Sequence, residues 1–174
     1  MKRVCLIATA SGNGKTTTGR ALAKRLGVPF YELDSLYHGP NWTPATPEEL
    51  RAKILPIVES EAWVVDGTYR GTIGDIVPEA ADVVVWLDLP MRVWLSRLLR
   101  RTARRVIRTE ELWNGNRERW RDALHPTNSV VFWALRKHGA TRRALESELA
   151  RFTVVRLRTK AEVEWLLSSA SRET

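Results

Sequence analysis

Thr9-Ala10-Ser11-Gly12-Asn13-Gly14-Lys15-Thr16 is the densest run of potential chemistry in this sequence. It follows a short apolar run, Val4 to Ala8, and opens a stretch from Gly14 to Leu26 that reads as a helix stopped by Gly27. The spacing is that of Gly-x4-Gly-Lys-Ser/Thr, with threonine in place of the first glycine. Small residues let consecutive backbone N–H groups turn inward as an anion nest, and the following helix presents its positive end. Ser11, Gly12, Asn13, Gly14, Thr16 and Thr17 would cradle a nucleotide triphosphate. Lys15 would reach its β- and γ-phosphates, and the Thr16 hydroxyl would ligate Mg²⁺. A β-branched Thr9 would be strained if that position required a positive φ.

Two carboxylates close apolar runs that read as adjacent strands: Asp34 after Val28–Leu33, and Asp66 at the end of Trp63–Asp66. With an alcohol as acceptor, Asp34 could take its proton as general base. With a phosphate as acceptor no base is needed, and Asp34 would only position the ligand. Asp66 would act through Mg²⁺ and its water. Asp88, ahead of Leu89-Pro90, reads as a helix N-cap.

Residues 92–108 form a helix with an unusual face. Arg97, Arg100, Arg101, Arg104, Arg105 and Arg108 fall within an arc of about 140° at the helical repeat. Leu95, Leu98, Leu99, Thr102 and Val106 form the opposite, core-facing side. Six guanidiniums on one face repel, so an anion should lie against them. Closure over a triphosphate and stabilisation of transferring charge by Arg101, Arg104 and Arg108 is one reading. A solvated basic face and contact with a nucleic-acid backbone are the others. Among the eight tryptophans, Trp63, Trp86, Trp94, Trp133 and Trp165 read as core, while Trp42 and Trp113 read as candidates for stacking on an acceptor ring. His38, His125 and His138 show no metal spacing, and His138 reads as solvated.

The elements that must position these groups alternate. Five apolar strands are expected near 4–8, 28–33, 63–66, 83–87 and 152–157. Between them lie helices at 14–26, from Thr46 towards Ser60 with Pro56 kinking or breaking it, from Pro90 to Arg108, at 129–150 with a break at Gly139, and finally at 161–167. Thr46-Pro47-Glu48-Glu49 has the form of a capping box. Such alternation implies an α/β fold with a parallel sheet covered on both faces and a ligand beyond the carboxyl ends of the strands.

The chain has 174 residues and a formal net charge of +8, and arginine far outnumbers lysine. Nearly all of that excess falls in residues 92–121. Forked guanidiniums suggest recognition of phosphate or carboxylate. The single cysteine, Cys5, excludes an intramolecular disulfide and a four-cysteine zinc site, and points to a reducing cytoplasm. No apolar stretch is long enough for a transmembrane helix.

The loop resembles a Walker A motif. Leu33-Asp34 is similar to the acidic acceptor position of small P-loop kinases such as shikimate kinase. Val64-Val65-Asp66-Gly67-Thr68-Tyr69-Arg70 resembles a segment of nucleoside monophosphate kinases, and Arg97-Leu98-Leu99-Arg100-Arg101 looks like the arginines leading into their lid. As a whole the chain resembles the adenylate-kinase-like topology modulation protein family of P-loop NTPases, through Leu33–Tyr37, Trp63–Gly67, Val85–Pro90 and Val154–Arg158 as well. That resemblance implies a five-stranded sheet of order 2-3-1-4-5, an ATP–Mg²⁺ site and a lid at about 104–126. Arg158 would then contact adenine, and Arg97 and Arg101 would reach ATP. Residues 111–118 have no counterpart in ordinary adenylate kinases. The expectation is one domain, cytoplasmic and monomeric or homodimeric, in which ATP phosphorylates a small molecule. Tyr37, Trp42, Tyr69 and Arg70 would line the acceptor side. The alternative is a nucleic-acid-associated NTPase or binding protein that uses the arginine-rich helix.

Overall fold

A computed structural model describes residues 2–118 and 130–170, without the side chains of residues 130, 132 and 133. Its centre is a sheet of five parallel strands: β1 (Arg3–Ala8), β2 (Phe30–Glu32), β3 (Trp63–Asp66), β4 (Val83–Leu87) and β5 (Val154–Leu157). Their spatial order is β2-β3-β1-β4-β5, as the resemblance implied. β1 pairs with both β3 and β4, placing Leu6 beside Asp66 and Ala8 beside Leu87. The residues that follow β1, β3 and β4 therefore meet at one edge.

The helices are α1 (Lys15–Leu26), α2 (Leu33–Tyr37), α3 (Pro47–Val58), α4 (Arg70–Ile73), α5 (Ile76–Ala80), α6 (Met91–Ile107), α7 (Val130–Glu148) and α8 (Lys160–Ser169). Successive β1 side chains point to opposite faces of the sheet, so its apolar run feeds two cores. Val4 and Leu6 pack with Leu22 of α1 and Leu166 of α8. Cys5 and Ile7 pack with Leu50 and Ile54 of α3, Ile73 of α4 and Leu145 of α7. Burial raises the Cys5 thiol to about 12, so it stays protonated and inert.

Several expectations need correcting. β2 is only three residues long, and Asp34 lies in the first turn of α2 rather than at a strand end. Pro56 does not break α3, because it sits in the last turn. α7 runs through Gly139 without interruption. Trp63, Trp86 and Trp94 are core, but Trp165 is 62% exposed. His138 is half-buried against the Trp94 ring. The Thr46–Glu49 capping box forms as expected, and a second, Thr159–Glu162, starts α8. The end of the expected lid, with His125, and the Trp133 side chain lie outside the described residues.

Asp88 caps no helix. α6 follows Pro90 and has no side-chain cap, while Asp88 is buried and paired with Arg156 and Arg142. α6 buries most of the expected face, with Leu95 packed against its buried residues, and departs from it at Leu99. Trp94, Leu98 and Val106 are inside, and Leu99 is 49% exposed. α6 lies directly against the loop after β1. An added Cβ at Gly12 would stand 2.3 Å from the Trp94 carbonyl oxygen, and Gly12 also has φ +90. Only glycine satisfies both conditions.

Asp75, between α4 and α5, accepts hydrogen bonds from Arg70 and Arg151. The Arg70 hydrogen bond and the charges of both arginines outweigh partial burial and hold the Asp75 carboxyl below the usual carboxylate range. Its contribution to stability is therefore present above the unfolded value of about 3.9 and disappears as pH falls through the folded value. Urea unfolding between pH 7 and 3 should show stability dropping below about pH 4, and Asp75→Asn should flatten that slope. An unchanged slope would refute the assignment.

Candidate active site

The loop after β1 arrives beneath α6 with Gly12 and Gly14 at φ 90 and 92. Gly14 is the N-cap of α1, and the first turn of α1 contains no acidic side chain. The positive end of the helix is thus left for an exogenous anion. Thr9 is not in the positive-φ region, so the anticipated strain does not arise.

Lys15 and Thr16 both turn towards Asp66. The Lys15 ammonium lies 2.6 Å from Asp66 Oδ1, and the Thr16 hydroxyl donates to Asp66 Oδ2 at 2.6 Å. Burial alone would lower the Lys15 pKa, but the charge and hydrogen bond of Asp66 outweigh it and raise the pKa above its ordinary value. Lys15 is therefore a permanent cation. Thr16 also lies 3.3 Å from Glu32 Oε1, a residue the sequence reading missed because it ends an apolar strand without a motif. Thr16, Asp66 and Glu32 form a set of hard oxygen donors of the type Mg²⁺ uses together with phosphates and waters. The donor set fits that ion. No cluster of three or more His, Cys, Asp or Glu side chains placed to hold a metal occurs among the described residues.

Across the cavity, Asp34 Oδ1 accepts a hydrogen bond from the Tyr69 hydroxyl at 2.7 Å. Burial and then the Asp34 charge push the Tyr69 phenol well above its ordinary value, so it remains a donor. Tyr69 has φ 46, a costly backbone state for a bulky side chain. Tyr37 packs on Tyr69 with ring centroids 4.4 Å apart. Neither tyrosine lines the cavity; Tyr69 holds Asp34, and Tyr37 packs on Tyr69. Arg70 does not line it either, because Asp75 and Glu148 hold its guanidinium.

α6 forms the roof. Arg97, Arg101, Arg104 and Arg105 line the cavity, with Arg97 3.5 Å from the Asn13 carbonyl. Arg104 pairs with Glu110 and Arg105 with Glu118, so nearby carboxylates relieve part of the expected repulsion. Arg101 has no ion pair among the described residues. Burial, and next the charge of Arg105, lower its pKa, and its Nε is buried without a partner. Arg108, at the C-cap of α6, and Arg158, whose backbone N–H donates to Glu162, are exposed and outside the cavity lining.

Two short loops complete the enclosure. Bridges His38–Pro44 and Glu111–Arg117 close them, and each carries a tight turn, Pro40–Trp42 and Trp113–Gly115. Asn116 is 3% exposed; its amide donates to the Gly39 carbonyl, and its oxygen accepts from the Trp42 N–H. Asn114 donates to the His38 carbonyl. His38 stacks on Trp113, and Trp42 meets Trp113 edge-on. The sequence reading missed both asparagines; an Asn-Gly pair is a turn signal, but nothing in the sequence signals its docking partner. The cavity of about 1440 Å³ runs from Trp42, Trp113 and Asp34 past Lys15 to Val163 and Leu167 of α8. That exceeds a usual single-ligand pocket of roughly 300–1,000 Å³. It has room for two substrates.

Sheet order, phosphate loop and arginine roof together define a small P-loop kinase fold. The shikimate kinase family profile matches residues 11–40. A shikimate kinase of Synechococcus elongatus is 30% identical over 135 residues, which cover 64% of this chain and 70% of that enzyme. The chain belongs to the shikimate kinase family of P-loop kinases. It is also 34% identical over 107 residues to the uncharacterized protein YqaC of Bacillus subtilis, spanning 60% of each chain. Shikimate kinase from Acinetobacter baumannii, solved with shikimate, superposes with a TM-score of 0.57 at 21% identity, covering 97% of this chain and 89% of that one. That likeness carries the fold alone. No helix among the described residues is long and apolar enough to cross a membrane.

Proposed function

We propose that this protein is an ATP-dependent kinase that transfers the γ-phosphoryl group of ATP to a hydroxyl of a small molecule. The observation that carries this reading is a single cavity with Lys15 and the phosphate loop on one wall, Asp34 on another and, in the roof, Arg101, which has no ion pair among the described residues. The loop amides and Lys15 hold the phosphates. Asp34 accepts the acceptor's hydroxyl proton as that oxygen bonds to γ-phosphorus. The bond from γ-phosphorus to the bridging oxygen breaks, and ADP leaves. Arg101 faces the charge spread over the transferring oxygens. Mg²⁺, held by Thr16 and Asp66, would neutralise phosphate charge when bound. The docked loops keep out water, which would otherwise hydrolyse ATP. Trp42 and Trp113 form the apolar wall on the acceptor side.

The test is Mg²⁺-dependent ADP release across shikimate, sugars, nucleosides, nucleoside monophosphates and short oligonucleotides. One small hydroxyl compound should raise turnover well above the acceptor-free rate. Stimulation by oligonucleotides alone would replace this reading with a nucleic-acid-associated NTPase.

A further inference from the structure

The phosphate loop is tied down at both ends to two consecutive residues, Asp88 and Leu89, just beyond β4. At its start the Thr9 hydroxyl donates to Asp88 Oδ1 at 2.8 Å and accepts from Trp86 Nε1 at 2.9 Å. At its far end Asn13 Oδ1 accepts from the Leu89 N–H at 2.9 Å, while the Asn13 amide donates to the Ala10 carbonyl at 2.9 Å. Thr9 and Asn13 are each 2% exposed. Asp88 is itself fixed from the other side. Its Oδ2 accepts from Arg156 of β5 at 2.6 and 3.0 Å, and Arg142 of α7 lies 3.1 Å away. The Arg156 guanidinium also covers the Trp86 ring at 3.9 Å.

We propose that Thr9 is a positioning residue for the nucleotide loop, acting as a side-chain tether where the common loop pattern has glycine. The inference rests on the reading of this loop as an ATP site. Glycine at that position offers only backbone freedom. Threonine instead fixes the direction in which the chain leaves β1, because its hydroxyl is held between a buried carboxylate and an indole N–H. Asn13 fixes the other end on the adjacent residue. The amides of residues 10–14 are then arranged before any phosphate arrives, and binding does not have to order them. A hydrogen bond to a buried charged group is strong enough to set that arrangement.

The chemistry separates three substitutions. Thr9→Ser keeps the donor and acceptor, Thr9→Val keeps the shape and loses both, and Thr9→Gly completes the common pattern but loses the tether. Mg–ATP affinity of the full chain is measured by calorimetry, and hydrogen exchange follows residues 9–15. Thr9→Val should weaken binding about tenfold and Thr9→Gly at least as much, with Thr9→Ser within about threefold of wild type. In Thr9→Val and Thr9→Gly, exchange should rise in the loop while β3 and β4 stay protected. If Thr9→Val fails to fold, Thr9→Gly carries the same test. Wild-type affinity in Thr9→Gly, or equal losses in all three variants with exchange rising across the whole sheet, would overturn the inference. If the wild-type chain itself does not bind Mg–ATP, the kinase reading falls, and this inference with it.

Discussion

Lys15→Ala should lose acceptor-stimulated ADP release by at least about two to three orders of magnitude, the usual cost of removing a positioned charge donor from a transfer site. Lys15 has two roles that one substitution removes together. Lys15 is the cation that would meet the β- and γ-phosphates, and its raised pKa keeps it charged throughout the working range. In the ligand-free arrangement, however, the same ammonium neutralises Asp66, a carboxylate only 2% exposed. Removing it leaves Asp66 with the Thr16 hydroxyl and no contacting cation, so Lys15→Ala should also melt earlier. The double variant Lys15→Ala/Asp66→Asn separates the two effects. It should recover much of the lost stability, because no buried charge is stranded, yet recover none of the turnover. Thermal unfolding and ADP release measured on the same preparations decide this. Turnover in the double variant near that of wild type would remove Lys15 from the chemistry.

The two halves of this site were not equally legible in the sequence. The loop, the strand before it and the helix after it are local, and spacing alone predicts them. So are the Thr46 capping box and the alternation that makes the sheet parallel. The failures share a different cause. Asp88 resembles a helix cap when only Leu89 and Pro90 are considered, but its partners are Thr9, 79 residues earlier, and Arg156, 68 residues later. Arg70 reads as an acceptor contact until Glu148, 78 residues away, is brought against it. On α6 periodicity placed Leu98 and Val106 inside correctly but not Leu99, because periodicity describes an isolated helix and cannot show how closely Gly12 lets α6 approach the loop. Asn116 carried no signal in the sequence, because its role depends on carbonyl and amide groups of the 38–44 loop. Long-range polar pairing was the consistent blind spot.

Asp34→Asn should reduce kcat by about two to four orders of magnitude while leaving the affinity for Mg–ATP within about twofold of wild type. Asparagine keeps the shape, and its carbonyl oxygen can still accept the Tyr69 hydrogen bond seen at 2.7 Å. What it cannot do is take a proton. The split between kcat and KM therefore tests the chemistry rather than the architecture. If the acceptor's attacking group is a hydroxyl, its proton must leave as the new bond to phosphorus forms, and kcat falls. If the attacking group is already an ionised phosphate oxygen, no base is needed, and the variant should raise only the acceptor KM. Tyr69→Phe supplies the control. It leaves the carboxylate in place but removes the donor that fixes one of its oxygens, so its kcat should fall by roughly tenfold, the scale of one hydrogen bond to a charged group. An unchanged kcat in Asp34→Asn would exclude general-base catalysis here. A collapse in Asp34→Asn beside a mild loss in Tyr69→Phe would leave Asp34 as the proton acceptor and Tyr69 as the residue that aims it.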